Sequence, residues 1–150
     1  MSHEELVRKA LFHPEYSGHL TASGIFIGGN VLWEEVENVG AAILPAIEKL
    51  ILEVNGTDIY DEYGLIFHYF LILSKTNEIE SPEFLISLPQ PAFHHALCAI
   101  RLIWRTIKNT LPPQWILNAL SEIYSNTKNR EVSELLEYLK SELSIKPTEI

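Results

Sequence analysis

The stretch that decides the fold is 91–109, which reads PAFHHALCAIRLIWRTIKN. At about 100° per residue, its large apolar side chains fall in one stripe about 120° wide, as expected of a helix that faces a core. The stripe is made of Phe93, Ala96, Leu97, Ile100, Ile103, Trp104 and Ile107. The polar strip is narrow and carries His94, Cys98, Arg101, Arg105 and Lys108. Because so little of this helix can meet water, we predict a central helix with neighbours on two sides.

Four other segments repeat apolar residues at helical spacing. They are 32–54, 59–75, 115–123 and 132–143. Within the first of them Pro45 removes a backbone hydrogen bond, so we expect a kink, or two helices that meet at Leu44. A capping box at Ser2 and Glu5 predicts a further short helix at the N-terminus. The fold class we predict is all-α, a multi-helix bundle of six or seven helices.

The chain of 150 residues is the size of one domain, so we assign 1–150 to a single all-α domain. Three Leu-Pro pairs each precede an apolar helix, at separations that would suit stacked helical hairpins. Residues 14–29 hold four glycines and a proline, and we predict an irregular connector that could contain a short strand or a packed loop. Residues 145–150 are predicted to be a frayed tail, since Pro147 interrupts the last helix.

The composition and the first residues bear on where the protein works. The chain is 47% hydrophobic and begins without an apolar leader segment. Its most apolar run, 65–73, is far shorter than the roughly 20 residues that a membrane-spanning helix needs. Cys98 is the only cysteine, so an intramolecular disulfide is excluded. We therefore expect a soluble cytoplasmic protein that does not associate with membranes.

The formal net charge of −9 is unevenly distributed. Residues 1–90 hold four Lys and Arg against fourteen Asp and Glu, a net charge of −10, whereas residues 91–150 carry +1. An acidic surface repels phosphate backbones, so nucleic acid is not expected as a partner. The same surface would attract a basic protein, although acidity also serves solubility alone. The sequence leaves the oligomeric state open.

Motifs for familiar catalytic and metal sites are missing from the sequence. No histidine follows a glutamate at the spacing of di-iron bundles, and the helical zinc-protease motif is absent. We therefore expect no metal, no cofactor and no assigned catalytic residue. His94 and Cys98 lie one helical turn apart and form the skeleton of a nucleophile pair. Without a strained turn or a glycine-built oxyanion site, a buried, inert cysteine is the expected state of Cys98.

These observations favour a non-enzymatic acidic helical protein that binds another protein, in the manner of an inhibitor or immunity protein for a basic partner. The candidate binding residues are Trp33, Glu34, Glu35, Glu37, Arg101 and Arg105. The alternative is a small-molecule or anion binder, or an enzyme, with a pocket between helices around His68, His94, Arg101 and Arg105. The polar strip of the central helix either pairs with glutamates of residues 30–62, which we favour, or lines a cleft for an anionic group.

Overall fold

The computed structural model describes residues 2–12, 19–20, 26–27, 31–57, 59–76 and 79–144. The helices are α1 (His3–Phe12), α2 (Val31–Val39), α3 (Leu44–Val54), α4 (Ile59–Leu73), α5 (Pro82–Ser87), α6 (Ala92–Leu102), α7 (Gln114–Thr127) and α8 (Arg130–Leu139). A 3-10 turn, Gly40–Ile43, joins α2 to α3, and π-helical turns at Ile103–Ile107 and Lys140–Ser144 continue α6 and α8. The predicted all-α bundle is confirmed.

Two short strands lie within the segment that was predicted to be an irregular connector. β1 (His19–Leu20) pairs antiparallel with β2 (Phe26–Ile27), so that His19 stands opposite Ile27 and Leu20 opposite Phe26. A short strand was one of the two alternatives for this segment. The rest of the predicted connector and the predicted tail, 145–150, lie outside the described residues.

Local signals set the ends of the first helices. The Glu5 amide donates to Ser2 Oγ at 3.1 Å, and the Ser2 amide donates to Glu5 Oε1 at 3.3 Å, so the predicted capping box is formed. Of the two alternatives at Pro45, the structure has two helices that meet near Leu44. Gly40 adopts a φ of +77° after α2, and Pro45 falls in the first turn of α3, where its missing N–H costs no helical bond.

The centre of the bundle is the packing of α4 against α6, the most extensive contact between any two elements in the described part of the chain. Both helices are largely enclosed, as predicted. The buried residues of α4 include Tyr63, Leu65, Ile66, Phe67, Tyr69, Phe70, Ile72 and Leu73, and those of α6 include Phe93, Ala96, Leu97, Ala99 and Ile100. Within the described ranges, no helix combines the length and apolarity needed to cross a membrane.

The end of the central helix departs from the predicted stripe. Ile103 and Trp104 are buried, but Ile107, which was predicted to face the core, is 49% exposed. The reason is the π-helical turn at Ile103–Ile107, in which the Lys108 amide donates to the Ile103 carbonyl at 2.9 Å. A π turn holds more residues than an α turn, so side chains toward its end, Ile107 among them, leave the 100° register on which the prediction rested.

Candidate functional site

The three predicted binding glutamates of α2 have different environments. Glu34 and Glu35 are exposed. Glu37 is only partly exposed because its carboxylate links α2 to α4. Its Oε2 lies 3.2 Å from His68 Nδ1, and its Oε1 accepts a hydrogen bond from Lys75 Nζ at 3.2 Å. The hydrogen bond with His68 is the main cause of the lowered pKa of Glu37. Glu37 therefore serves an internal contact, whereas Glu34 and Glu35 face solvent.

Trp33 lies in the core and not on a binding surface. Its side chain is 2% exposed, and its indole stacks on the imidazole of His68 with the ring centroids 4.0 Å apart. Trp33 was predicted as a binding residue, but its burial leaves the side chain almost no surface from which to contact a partner. A tryptophan beside three glutamates looks like a surface residue in the sequence, but the helical register turns it toward α4.

A pocket of about 420 Å³ opens between α4, α6 and the start of α8. We call it the Glu62 pocket. Its titratable walls are Glu62 of α4, His94 and His95 of α6, and Glu131 of α8. The turns that precede α4 and α6 close it with Gly56, Thr57, Gln90 and Pro91. The volume falls in the range of about 300–1,000 Å³ that is typical of ligand pockets.

The inner wall of the Glu62 pocket is a buried carboxylate beside a buried imidazole. Glu62 and His95 are 2% and 4% exposed. Glu62 Oε1 accepts a hydrogen bond from the Thr57 amide at 2.7 Å, while Glu62 Oε2 lies 3.4 Å from His95 Nε2. The two side chains are therefore in contact, although their alignment is too poor for a strong hydrogen bond.

Burial keeps His95 neutral. The loss of hydration lowers the pKa of His95 below its ordinary value, and this effect outweighs the attraction of the Glu62 carboxylate. At neutral pH the imidazole therefore carries no charge that could balance Glu62. The inner wall presents a carboxylate and an uncharged imidazole to whatever enters the pocket.

The outer wall is formed by His94 and Glu131, both about half exposed. His94 Nδ1 lies 2.6 Å from Glu131 Oε2, and His94 Nε2 lies 3.8 Å from the Sγ atom of Cys98. A second concavity of about 190 Å³ begins on the Cys98 side of this pair. We call it the Cys98 cavity; its other walls include Leu97, Arg101, Glu134 and Leu135.

The basic strip of the central helix packs against α8. The guanidinium of Arg101 lies 3.9 Å from the centroid of the Tyr138 ring, and that of Arg105 lies 5.3 Å from it. His94 pairs with Glu131. The favoured prediction, in which the strip pairs with glutamates of residues 30–62, is wrong for His94, because α6 turns this strip toward α8.

The alternative pocket of the sequence prediction is only partly present. His94 lines both concavities and Arg101 lines the Cys98 cavity, but His68 is buried against Trp33 and lines neither. Sequence reasoning missed Glu62, His95 and Glu131. Only the register of α4 against α6 and α8 brings these three together, and periodicity within one helix carries no signal for it.

Within the part of the chain that the structure describes, no group of three or more His, Cys, Asp or Glu side chains is arranged to hold a metal ion. In comparisons with known proteins, no family model, curated protein or solved structure matches the chain.

Proposed function

We propose that this protein binds a basic protein and receives a cationic side chain of that partner, an ammonium group above all, in the Glu62 pocket. The observation that carries the proposal is the pairing of two carboxylates with a neutral imidazole in one half-enclosed pocket. The described residues that line this pocket include no lysine or arginine.

The chemistry of an ammonium group suits these walls. An ammonium ion has three N–H donors, and the carboxylates of Glu62 and Glu131 are acceptors in the lining of the same pocket. A buried carboxylate without a cation is costly to maintain, and among the described residues the imidazole next to Glu62 is that of His95, whose pKa is lowered by burial. A bound ammonium would offset that cost, so binding energy is concentrated at the inner wall.

The charge of the rest of the chain supports the same kind of partner. Residues 1–90 carry a net charge of −10, and Glu34 and Glu35 are exposed on α2. Such a field attracts a basic protein and accelerates its association at low salt. An inhibitor or immunity-type role follows if the bound surface of the partner is its own functional site.

A titration with a basic peptide tests the proposal. We would measure the binding of a heptalysine peptide, and of the same peptide acetylated on every side chain, by calorimetry at low and at moderate salt. The variants are Glu62→Gln and Glu131→Gln. The matched control is the double variant Glu34→Gln with Glu35→Gln, which removes two acidic charges on α2.

We expect heptalysine to bind and the acetylated peptide not to bind. Glu62→Gln should weaken binding about tenfold to a hundredfold, because a hydrogen bond to a charged group contributes roughly 1.5–3 kcal/mol. The control should retain most of the affinity. Equal losses for the control and for Glu62→Gln would indicate a diffuse acidic surface and would contradict the pocket.

A further inference from the structure

We infer a second activity at the neighbouring Cys98 cavity, namely acyl transfer in which Cys98 is the nucleophile and His94 its general base. In this arrangement Glu131 is a positioning residue that acts through His94. The substrate class is a small activated acyl compound, such as a thioester or an activated ester. This inference does not rest on the proposed binding of a basic partner.

The three side chains contact one another in the order Glu131, His94, Cys98. A carboxylate that lies 2.6 Å from His94 Nδ1 holds the imidazole tautomer in which Nδ1 carries the proton. The lone pair of Nε2 then faces the Cys98 sulfur, 3.8 Å away. Carboxylate, imidazole and thiol therefore stand in the order that activates a nucleophile by general-base catalysis.

The protonation state of the Cys98 thiol determines whether the sulfur needs a base. Burial is the main cause that raises the pKa of Cys98, and the Glu131 charge raises it further, while Arg101 opposes both. Cys98 is thus a protonated, half-buried thiol at neutral pH. Such a thiol reacts slowly unless a base removes its proton during the attack, and His94 Nε2 is in place to do so.

The space around the Cys98 sulfur limits the size of the acyl group. The Cys98 cavity measures about 190 Å³, below the usual size of sites for drug-sized ligands, so a short acyl chain fits it best. Leu97 and Leu135 supply an apolar wall for that chain, and Arg101 supplies a cation for the negative charge that develops on the acyl oxygen.

The Cys98 cavity opens beside the Glu62 pocket. The Cys98 cavity and the Glu62 pocket share His94 and Glu131 as walls, so the two concavities adjoin. In the Glu62 pocket the side chain of His95 is 5% exposed, and its Nε2 atom lies 3.4 Å from Glu62 Oε2.

The proposed reaction transfers the acyl group first to Cys98 and then to water. The thiol proton moves to His94 Nε2 while the sulfur of Cys98 forms a bond to the acyl carbon. The bond from that carbon to the leaving oxygen or sulfur then breaks, and the leaving group departs with the electron pair and receives the proton from His94. The product is a thioester on Cys98. Water, deprotonated by His94, hydrolyses the thioester and restores the thiol.

The test uses p-nitrophenyl acetate as the probe. Because Cys98 is the only cysteine, intact mass will report one acetyl group on sulfur, and nitrophenolate release will give the rate. The variants are Cys98→Ala, His94→Gln and Glu131→Gln, together with Glu131→Asp as the conservative replacement. Glu134→Gln is the matched control, since Glu134 lines the same cavity but pairs with Arg130. Alkylation by iodoacetamide checks that the thiol stays accessible in each variant.

We expect the wild-type protein to be acetylated at Cys98, and His94→Gln to slow this step about a hundredfold or more. Glu131→Gln should slow it about tenfold, and Glu131→Asp should recover part of the rate, whereas Glu134→Gln should not change it. No acetylation of the wild-type protein, or equal rates in the wild-type protein and His94→Gln, would overturn the inference. Cys98→Ala should still bind heptalysine, so failure of the two proposals can be told apart.

Discussion

The indole of Trp33 and the imidazole of His68 stack with their centroids 4.0 Å apart and their planes inclined by 6°, and this contact joins α2 to α4. On the same side of α4, His68 and Lys75 both reach the carboxylate of Glu37. His68 is 5% exposed, so an imidazole is held in the core between an aromatic ring and a carboxylate. This polar contact within the apolar interior makes the stability of the fold depend on pH.

We expect the free energy of unfolding to fall as the pH is lowered from about 7.5 to about 5. Burial is the main cause that lowers the pKa of both His68 and His95 in the folded state. The unfolded chain therefore binds protons on these residues at a higher pH than the folded chain does. Their stabilising effect is complete above the ordinary histidine pKa of about 6.5 and is lost as the pH falls toward the lowered values. Urea denaturation at a series of pH values measures this.

The variant His68→Phe should flatten this pH dependence while keeping an aromatic ring against Trp33. His3→Gln, on the exposed first turn of α1, is the control and should leave the profile as it is. Below about pH 4.5 a further loss is expected, because the contact with His68 and Lys75 lowers the pKa of Glu37. A profile for His68→Phe that overlies the wild-type profile would show that His68 does not carry the effect.

The parts of the fold that could be predicted are those that periodicity within one segment determines. The apolar positions of α4 and α6 identified the central pair because both helices are apolar around most of their circumference. Ser2 and Glu5 identified the first helix, and Pro45 marked the boundary between α2 and α3, since each of these signals acts over a few residues. Such local rules do not depend on the rest of the chain.

The site could not be predicted in the same way because it depends on contacts between helices. Glu62 and His95 are 33 positions apart in the sequence and meet only through the packing of α4 on α6. His94 was assigned to the correct strip, but its carboxylate partner is Glu131 and not an acid of residues 30–62. The exposure of Ile107 was missed for another reason: a single π turn breaks the angular rule.

The core position Ile100 provides a direct test of the central helix. Its side chain is fully buried between neighbouring helices, so Ile100→Ala should lower the free energy of unfolding by about 2–5 kcal/mol. Denaturation with urea will measure the change. Glu34→Ala, at an exposed position on α2, serves as the control and should cost well under about 1 kcal/mol. A loss below about 1 kcal/mol for Ile100→Ala would contradict a tightly packed centre.

The contact of Arg101 with Tyr138 can be measured by a double-mutant cycle. With the guanidinium 3.9 Å from the ring centroid on a partly exposed surface, the interaction should be worth about 0.5–1 kcal/mol. The cycle consists of Arg101→Met, Tyr138→Leu and the two combined, each followed by urea denaturation. The parallel cycle with Arg105, whose guanidinium lies 5.3 Å from the same centroid, should give a smaller coupling. Zero coupling for Arg101 would show that the strip is held to α8 by other contacts.

The acidic surface of α2 and the Glu62 pocket should affect different rate constants of binding. Exposed charges act at long range on the encounter, so Glu34→Gln with Glu35→Gln should slow the association of heptalysine at low salt and change its dissociation little. Glu62 is buried and acts at short range, so Glu62→Gln should mainly speed dissociation. Stopped-flow measurements at two ionic strengths give both rates. An association rate that does not change with salt would contradict a role for the α2 charges. An unchanged dissociation rate for Glu62→Gln would contradict a role for the Glu62 pocket. Each part of the binding proposal can therefore fail independently of the other.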